Sequence, residues 1–229
     1  MRKTIISNII IISILIMLVA FTNISYVTTY SSTNNIVVYH GNKASNNASL
    51  MVNVYWGNEY IPQMLKIFKD NNITTTFFVG GTWANKYPEL LQEIAQNGHE
   101  IANHGFFHKD GKTLSYKDNY DEICTTHKLV ESILNVQMNL FAPPSGSFGN
   151  NTIEACKNLG YTPIMWTYDT IDWRDQDSSL ILKRATKKIE SGNLILMHPT
   201  KATVDALQNI VDAYKNACIN ITTVSNTIK

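Results

Sequence analysis

Charge is sparse in this chain. Asp, Glu, Lys and Arg make up 16% of its 229 residues, the formal net charge is +1, and no long block of one sign occurs. That argues against a nucleic-acid binder, which would carry a basic stripe, and electrostatics alone names no partner. Cysteine is scarce too. Cys124, Cys156 and Cys218 match no zinc spacing, and a chain of this size needs no disulfide staple. One bridge among them is conceivable in an exported protein, but they read best as small, buried, apolar side chains. No G-x-G-x-x-G turn opens any helix, which argues against a dinucleotide-binding fold. Long apolar runs are also missing, with one exception at the start.

In that exception, Arg2 and Lys3 precede residues 5–21, which are apolar apart from Ser7, Asn8 and Ser13. A basic start followed by such a run is an export signal. It falls slightly short of the roughly 20 residues a spanning helix prefers. Residues 1–25 are therefore expected to be a cleaved signal peptide or an uncleaved membrane anchor. The rest would then lie on the extracytoplasmic face of the membrane or in the cell wall. Residues 26–48 are rich in Ser, Thr, Asn and Tyr and read as an irregular lead-in. Residues 49–229 read as one folded domain, because a chain that is 44% apolar can bury a core of ordinary size.

Within 49–229, strand-like and helix-like segments alternate. Residues 51–55, 74–79, 99–103, 138–142, 162–168, 193–198 and 219–224 read as strands from their apolar, β-branched or aromatic character. Residues 59–70, 88–97, 117–134, 152–159, 178–190 and 204–217 read as helices, with Pro88 suited to a first turn and Gly98 and Gly192 to stops. Such alternation predicts an α/β fold, a small distorted (β/α)7-type barrel of parallel strands; a doubly wound open sheet is the alternative.

In β/α barrels the chemistry sits on the loops that follow the strands. Here those loops carry Tyr55, Trp56, Gly57, Asn58 and Glu59, then His104 and His108, then Pro143-Pro144-Ser145-Gly146, then Asp169, Asp172, Trp173 and Arg174, then His198. The clustering at one rim is the main signal, and each member also has a plainer reading. His104 and His108 stand four apart, a spacing that lets two imidazoles share a metal, although an isolated pair is weak support. His198 is a hydrogen-bonded core histidine or a catalytic acid. Asp172 is its orienting carboxylate or a helix cap. Trp56 and Trp173 stack on sugars or close the core. The Pro-Pro turn could be only a stiff loop. Lys183, Arg184, Lys187 and Lys188 read as a solvated helix face.

Taken in order, Trp56-Gly57, Asn103-His104-Gly105-Phe106-Phe107-His108, Pro143-Pro144-Ser145-Gly146, Asp169-Thr170-Ile171-Asp172-Trp173 and Leu196-Met197-His198 resemble the motif set of the polysaccharide deacetylases, the NodB-homology fold of family 4 carbohydrate esterases. Phrases such as Asn53-Val54-Tyr55-Trp56-Gly57 and Met197-His198-Pro199-Thr200 resemble the sporulation-associated, YlxY-like branch. The resemblance implies hydrolysis of N-acetyl groups on peptidoglycan or another amino-sugar polymer, with a divalent metal, zinc or similar, as Lewis acid. It implies that His104 and His108 are metal ligands, His198 the general acid and Asp172 its orienting partner. Trp173, Leu196, Pro144 and Trp56 would contact substrate. A monomer acting on polysaccharide, with no nucleic acid and with the membrane touched only through the N-terminal segment, is expected.

The first motif departs from the family pattern. Where the family has a base and a metal-ligand aspartate, this chain has Tyr55 and Trp56. Indole has no lone pair for a metal, and tyrosine is protonated near neutral pH. The family arginine before the double proline is Ala142. Glu59 is the nearest carboxylate that could substitute, and Asp110 a more remote one. A general base typically contributes about 10²–10⁴-fold, so activity is expected to be weak or lost. The alternative is a non-catalytic, glycan-binding or sporulation-related pseudoenzyme.

Overall fold

The structure, a computed structural model, describes residues 37–229. The expected signal or anchor at 1–25 and the first part of the lead-in lie outside the described residues. Among the described residues no helix is long and apolar enough to cross a membrane.

Strand β1 (Asn47–Val54) is the centre of a parallel sheet. It pairs with β2 (Thr76–Val79) on one side and β7 (Leu194–Met197) on the other. The order is β5-β4-β3-β2-β1-β7-β6, with β3 at Glu100–Asn103, β4 at Leu140–Phe141, β5 at Thr162–Pro163 and β6 at Tyr168–Asp169. A short β8 (Asn220–Ile221) pairs with the start of β1. Outside the sheet lie α1 (Ile61–Asp70), α2 (Gly81–Lys86), α3 (Pro88–Gln96), α4 (Tyr116–Leu134), α5 (Asn150–Asn158), α6 (Ser178–Ala185) and α7 (Lys201–Asn216).

One short segment makes the sheet curl. β5 and β6 stand at opposite edges, yet only residues 164–167 separate them. Five extended steps reach about 17 Å at most. The edges must therefore approach one another, which gives a curled, incompletely closed barrel and rules out the open doubly wound sheet. The residue before the gap is stitched to the lead-in: Val38 N–H donates to Pro163 O at 2.9 Å, and Met165 N–H donates to Val38 O at 2.7 Å. On the far edge Thr167 N–H donates to Leu194 O at 2.8 Å.

The expected single strand at 162–168 is thus two strands, joined by a bridge that serves both edges. Other boundaries also moved. Residues 47 and 48 belong to β1, and Val38 already bridges Ile164, so the folded part begins before residue 49. The helix expected over 178–190 stops at Ala185, where Thr186 caps it. The last expected strand shrinks to β8 and gives way to a turn of helix, α8 (Val224–Thr227). Helix α2 had no apolar period long enough to reveal it.

Period two along β1 separates two cores. Leu50, Val52 and Val54 face the helices with Phe77, Ile195 and Met197. Met51 faces the barrel interior with Phe78, Ala102, Leu140, Ala142, Ile164 and Leu194. Val224 of α8 joins that interior set and closes its base, where its N–H donates to Thr76 Oγ1 at 2.7 Å. The base is therefore plugged, and only the opposite end is left to open. His99 belongs to the outer core: burial against Phe68 and Phe77 pushes its pKa down to about 4, and Nδ1 accepts from Thr75 N–H.

Of the cysteines, Cys156 is buried, which pushes its thiol up to about 12, but Cys124 is half-buried and Cys218 exposed. The three are free, and the buried apolar reading holds for Cys156 alone.

Candidate functional site

Strand register brings the loop starts to one level. Val54 pairs with Val79, Val79 with Asn103, and Asn103 with Phe141. The residues that follow, Tyr55, Gly80, His104 and Ala142, therefore begin the same rim. On the other side Val52 pairs with Met197 and Leu196 with Asp169. A hollow of about 430 Å³ opens between them, lined by Asn53, Tyr55, Trp56, His104, His108, Ser145, Gly146, Trp166, Asp169, Trp173, Leu196 and His198.

Asp172 is the hub of one side. It is 0% exposed. Its Oδ1 lies 2.8 Å from His198 Nδ1, and its Oδ2 accepts from His198 N–H and from Thr203 Oγ1–H, both at 2.6 Å. Thr200 Oγ1 donates in turn to Thr203 Oγ1. With Nδ1–H committed to the carboxylate, His198 presents Nε2 outward. The loop that carries Asp172 is clamped from α6: Arg184 donates to Thr170 O at 2.9 Å and to Asp175 at 2.6 Å, while Arg174 grips Asp175 through two nitrogens. Arg184 is therefore not part of a solvated face. The clamp holds Ile171 at φ +55°, a conformation that costs a β-branched residue steric strain.

The histidine loop is held from α4. Ser115 caps that helix by accepting from Asp118 N–H. One turn further, buried Glu122 accepts at Oε2 from the backbone N–H of Phe106 and Phe107 at 2.9 and 2.8 Å. Gly105 sits at φ +75°, and a Cβ there would lie 3.2 Å from that carboxylate and 3.3 Å from Pro144. His104 is buried, and its Nδ1–H donates to Ala142 O at 2.7 Å, so Nε2 is a bare acceptor. Burial foremost, then the neighbouring His108, pushes its pKa down to about 3. His108, also lowered mainly by burial, lies with its ring 5.0 Å from that of His104 and 4.8 Å from that of Tyr55.

At the end of β1 the side chains are aromatic. Trp56 stacks on His198, with centroids 5.8 Å apart and planes 7° from parallel, and is still 41% exposed. Trp173, across the hollow, is 54% exposed. Behind them Asn53, on the interior face one step above Met51, is 4% exposed, and its Oδ1 has no hydrogen-bond partner among the described residues. Asp169 accepts Ile171 N–H at Oδ1, and desolvation raises its pKa.

The structure thus gathers His104, His108, His198, Trp56, Trp173 and Leu196 around one hollow, with Asp172 directly behind His198. Pro144 is buried and does not line it; its neighbours Ser145 and Gly146 do. Glu59 is exposed and outside the lining. Asp110 is tied to Ser147 Oγ and Lys112 N–H, away from it. Neither carboxylate fills the position that Tyr55 and Trp56 occupy. Asn53, Trp166 and the organiser Glu122 were not singled out from sequence; Asp169 was named on the rim without a role. The period-two pattern of β1 placed residue 53 inside the barrel, and that was the available signal for it.

Among the described residues no group of three or more His, Cys, Asp or Glu is arranged to hold a metal. The donors on the histidine side are two imidazoles. A catalytic zinc usually takes three protein ligands, and indole supplies none. The residues present do not fit a catalytic metal centre.

A sequence profile of the polysaccharide deacetylase family matches residues 40–164. The chain is 35% identical to YlxY of Bacillus subtilis over 82% of its own length and 59% of that protein's. It is 28% identical to the peptidoglycan-N-acetylmuramic acid deacetylase PdaA of the same organism, over 77% of its length and 69% of that protein's. Among solved structures, a CE4 family pseudoenzyme from Bacillus anthracis is 33% identical with TM-score 0.82, covering 84% of this chain and 69% of that one. A mutant of the pseudoenzyme, described as having restored enzymatic activity, matches at TM-score 0.82 and 31% identity over 84% of this chain and 71% of its own.

Proposed function

This chain belongs to the polysaccharide deacetylase family, and on that premise we propose that its hollow holds an amino-sugar polymer of the peptidoglycan type while turning over its N-acetyl groups slowly or not at all. The observation that carries this is the asymmetry of the rim. The Asp172–His198–Thr203 set is fully bonded on one side, and Tyr55 and Trp56 stand at the end of β1 on the other. His198, oriented by Asp172, would supply a proton to a leaving amine. Trp173 and Leu196 would contact the acyl group and sugar, Trp56 a ring face, and Pro144 would set the shape of the turn beside them. Deacetylases of this family are generally metal-dependent, and His104 and His108 are the two donors left in that position. Two imidazoles without a third ligand make a low-affinity site. Export through residues 1–25 is part of the proposal, and fractionation of cells would locate the chain.

The test uses the full chain. Metal content and acetate release are measured with N-acetylglucosamine oligomers and with peptidoglycan, and binding by calorimetry. Wild type should bind oligomer and release little acetate. The double variant Tyr55→Asp, Trp56→Asp should gain metal affinity and turnover, as the related Bacillus anthracis mutant regained activity. Brisk, metal-dependent acetate release by wild type would overturn the proposal, as would a double variant with no gain in either quantity.

A further inference from the structure

A hydrogen-bond chain runs from the histidine loop to the protein surface, and every proton in it points outward. It starts at Gly105, whose N–H donates to Asn103 Oδ1 at 2.9 Å. Asn103 is the last residue of β3 and is 0% exposed. Its Nδ2–H groups donate to Ile123 O at 2.8 Å and to Tyr161 Oη at 3.3 Å. Gly105 N–H and Ile123 O, both backbone groups, fix which end of this amide is oxygen. Tyr161 Oη lies 2.6 Å from His127 Nδ1, and His127 Nε2 lies 3.0 Å from Gln137 Oε1. Gln137 Nε2–H donates to the Glu131 carboxylate, which fixes the second amide in turn. With both amides fixed, one arrangement satisfies every group. Tyr161 O–H donates to His127 Nδ1, and His127 carries its proton on Nε2 and donates to Gln137.

That arrangement requires a neutral His127. A second proton goes on Nδ1, and Tyr161 Oη then faces two donors, Asn103 Nδ2–H and His127 Nδ1–H, with no acceptor for its own proton among the described residues. Tyr161 is 6% exposed, and burial foremost holds its phenol above the usual tyrosine range, so the hydroxyl keeps that proton. A buried hydroxyl without an acceptor is unfavourable. Turning the Asn103 amide over supplies one, but it takes the acceptor from Gly105 N–H and sets Oδ1 against Ile123 O. The conflict therefore passes along the chain to the backbone between His104 and Phe106, where Gly105 sits at φ +75°. The other titratable groups around the pair are Glu131 and Cys124 on α4 and Cys156 on α5, and none of them accepts from Tyr161. Histidine is the side chain that changes charge between about pH 5 and 8, and His127 is only half-buried. We infer that His127 is an acid-sensitive switch for the histidine wall of the hollow: its protonation breaks the relay that holds the loop of His104 and His108. His127 does not line the hollow, so the control is exerted from outside it, whatever ligand the hollow takes.

Hydrogen exchange of the full chain, read by mass spectrometry, tests this. The probes are the amides of residues 104–107, each of which is hydrogen-bonded: His104 to Val79 O, Gly105 to Asn103 Oδ1, and Phe106 and Phe107 to Glu122 Oε2. Exchange is measured at about pH 7.5 and about pH 5.5, on either side of the ordinary histidine range, and corrected for the intrinsic rate at each. Both conditions lie above the range in which buried His104 takes up a proton. Wild type should exchange about tenfold faster at the lower pH, the scale of one buried hydroxyl left without its acceptor. His127→Gln has no ring to protonate, and Tyr161→Phe has no hydroxyl to strand. In both variants the corrected rate should be the same at the two pH values. Should Tyr161→Phe fail to fold, His127→Gln at its half-buried site decides alone. The amides of β7 should not change, and an equal rise there would mean that the whole molecule opens, which would overturn the inference. A wild-type rate that does not respond to pH, or the same rise in His127→Gln, would overturn it too.

Discussion

The two sides of the barrel mouth are built on opposite terms. Behind β6 and β7, Asp172 takes three hydrogen bonds, Thr203 and Thr200 are linked to one another, and Arg184 clamps the loop from outside. At the end of β1 and β3, the side chains are aromatics packed on histidines, a histidine kept neutral by burial, and an asparagine whose oxygen meets no donor among the described residues. The first side is stabilised by its own polar network. The second carries polar groups that do little for the fold and face the hollow, and that is where a ligand has most to offer.

The largest break in that contrast should come from Asp172→Ala. It leaves the Nδ1–H and backbone N–H of His198 and the hydroxyl of Thr203 without their acceptor. A loss of about 3–5 kcal/mol is expected, the scale of removing one partner from a buried charged network. Urea denaturation would measure it, and a loss under about 1 kcal/mol would show that the network is not the stabilising side.

Acid tests the second side through His104, with His99 of the outer core titrating alongside it. His104 and His99 have folded-state pKa values pushed down to about 3 and about 4. Both fall below the unfolded value near 6.5, so the unfolded chain binds protons first. The stability that the neutral rings contribute is complete above about pH 6.5 and is lost as pH falls through the window toward 4 and then 3. Each histidine can cost up to about 1.4 kcal/mol per pH unit within its window. The melting temperature should therefore drop between pH 6.5 and 4.5, and His104→Gln should flatten that slope. A slope unchanged in the variant would take His104 out of the account.

Asn53→Ala should have the smallest effect on stability. It deletes an oxygen that has no partner among the described residues and opens no sealed cavity, because the hollow already lies beside the side chain. A change below about 1 kcal/mol is expected in the same denaturation assay, against the several lost at Asp172. A large loss would mean that Asn53 holds the barrel together and is not poised for a ligand.

Much of this architecture was legible along the chain. Alternating apolar segments announced parallel strands with helices outside, and the loops after those strands already held His104, His108, Asp172, Trp173 and His198. The ordered motifs pointed to the family that the comparisons show. Residues 162–168 misled because a bridge that pairs with two sheet edges has the same β-branched, aromatic composition as one strand. Arg184 misled because a helical face with four cations looks solvated until the loop it clamps is folded beside it. Glu59 is close in sequence to Tyr55 and Trp56, yet it sits exposed in the turn before α1, and the more remote Asp110 is held by Ser147 and Lys112 outside the hollow.

Periodicity and residue type were therefore enough to determine the alternation of strands and helices and the rim on which the histidines, Asp172 and the tryptophans collect, because these depend on local backbone preference and side-chain inventory; that Tyr55 and Trp56 stand where two aspartates would be expected came from the motif resemblance. Only the tertiary structure decided that the sheet edges meet through residues 164–167, that Glu122 holds the histidine loop, and that Asn53 is buried beside the hollow with its Oδ1 unpartnered among the described residues. Those facts depend on which distant groups become neighbours, and no local pattern carries that.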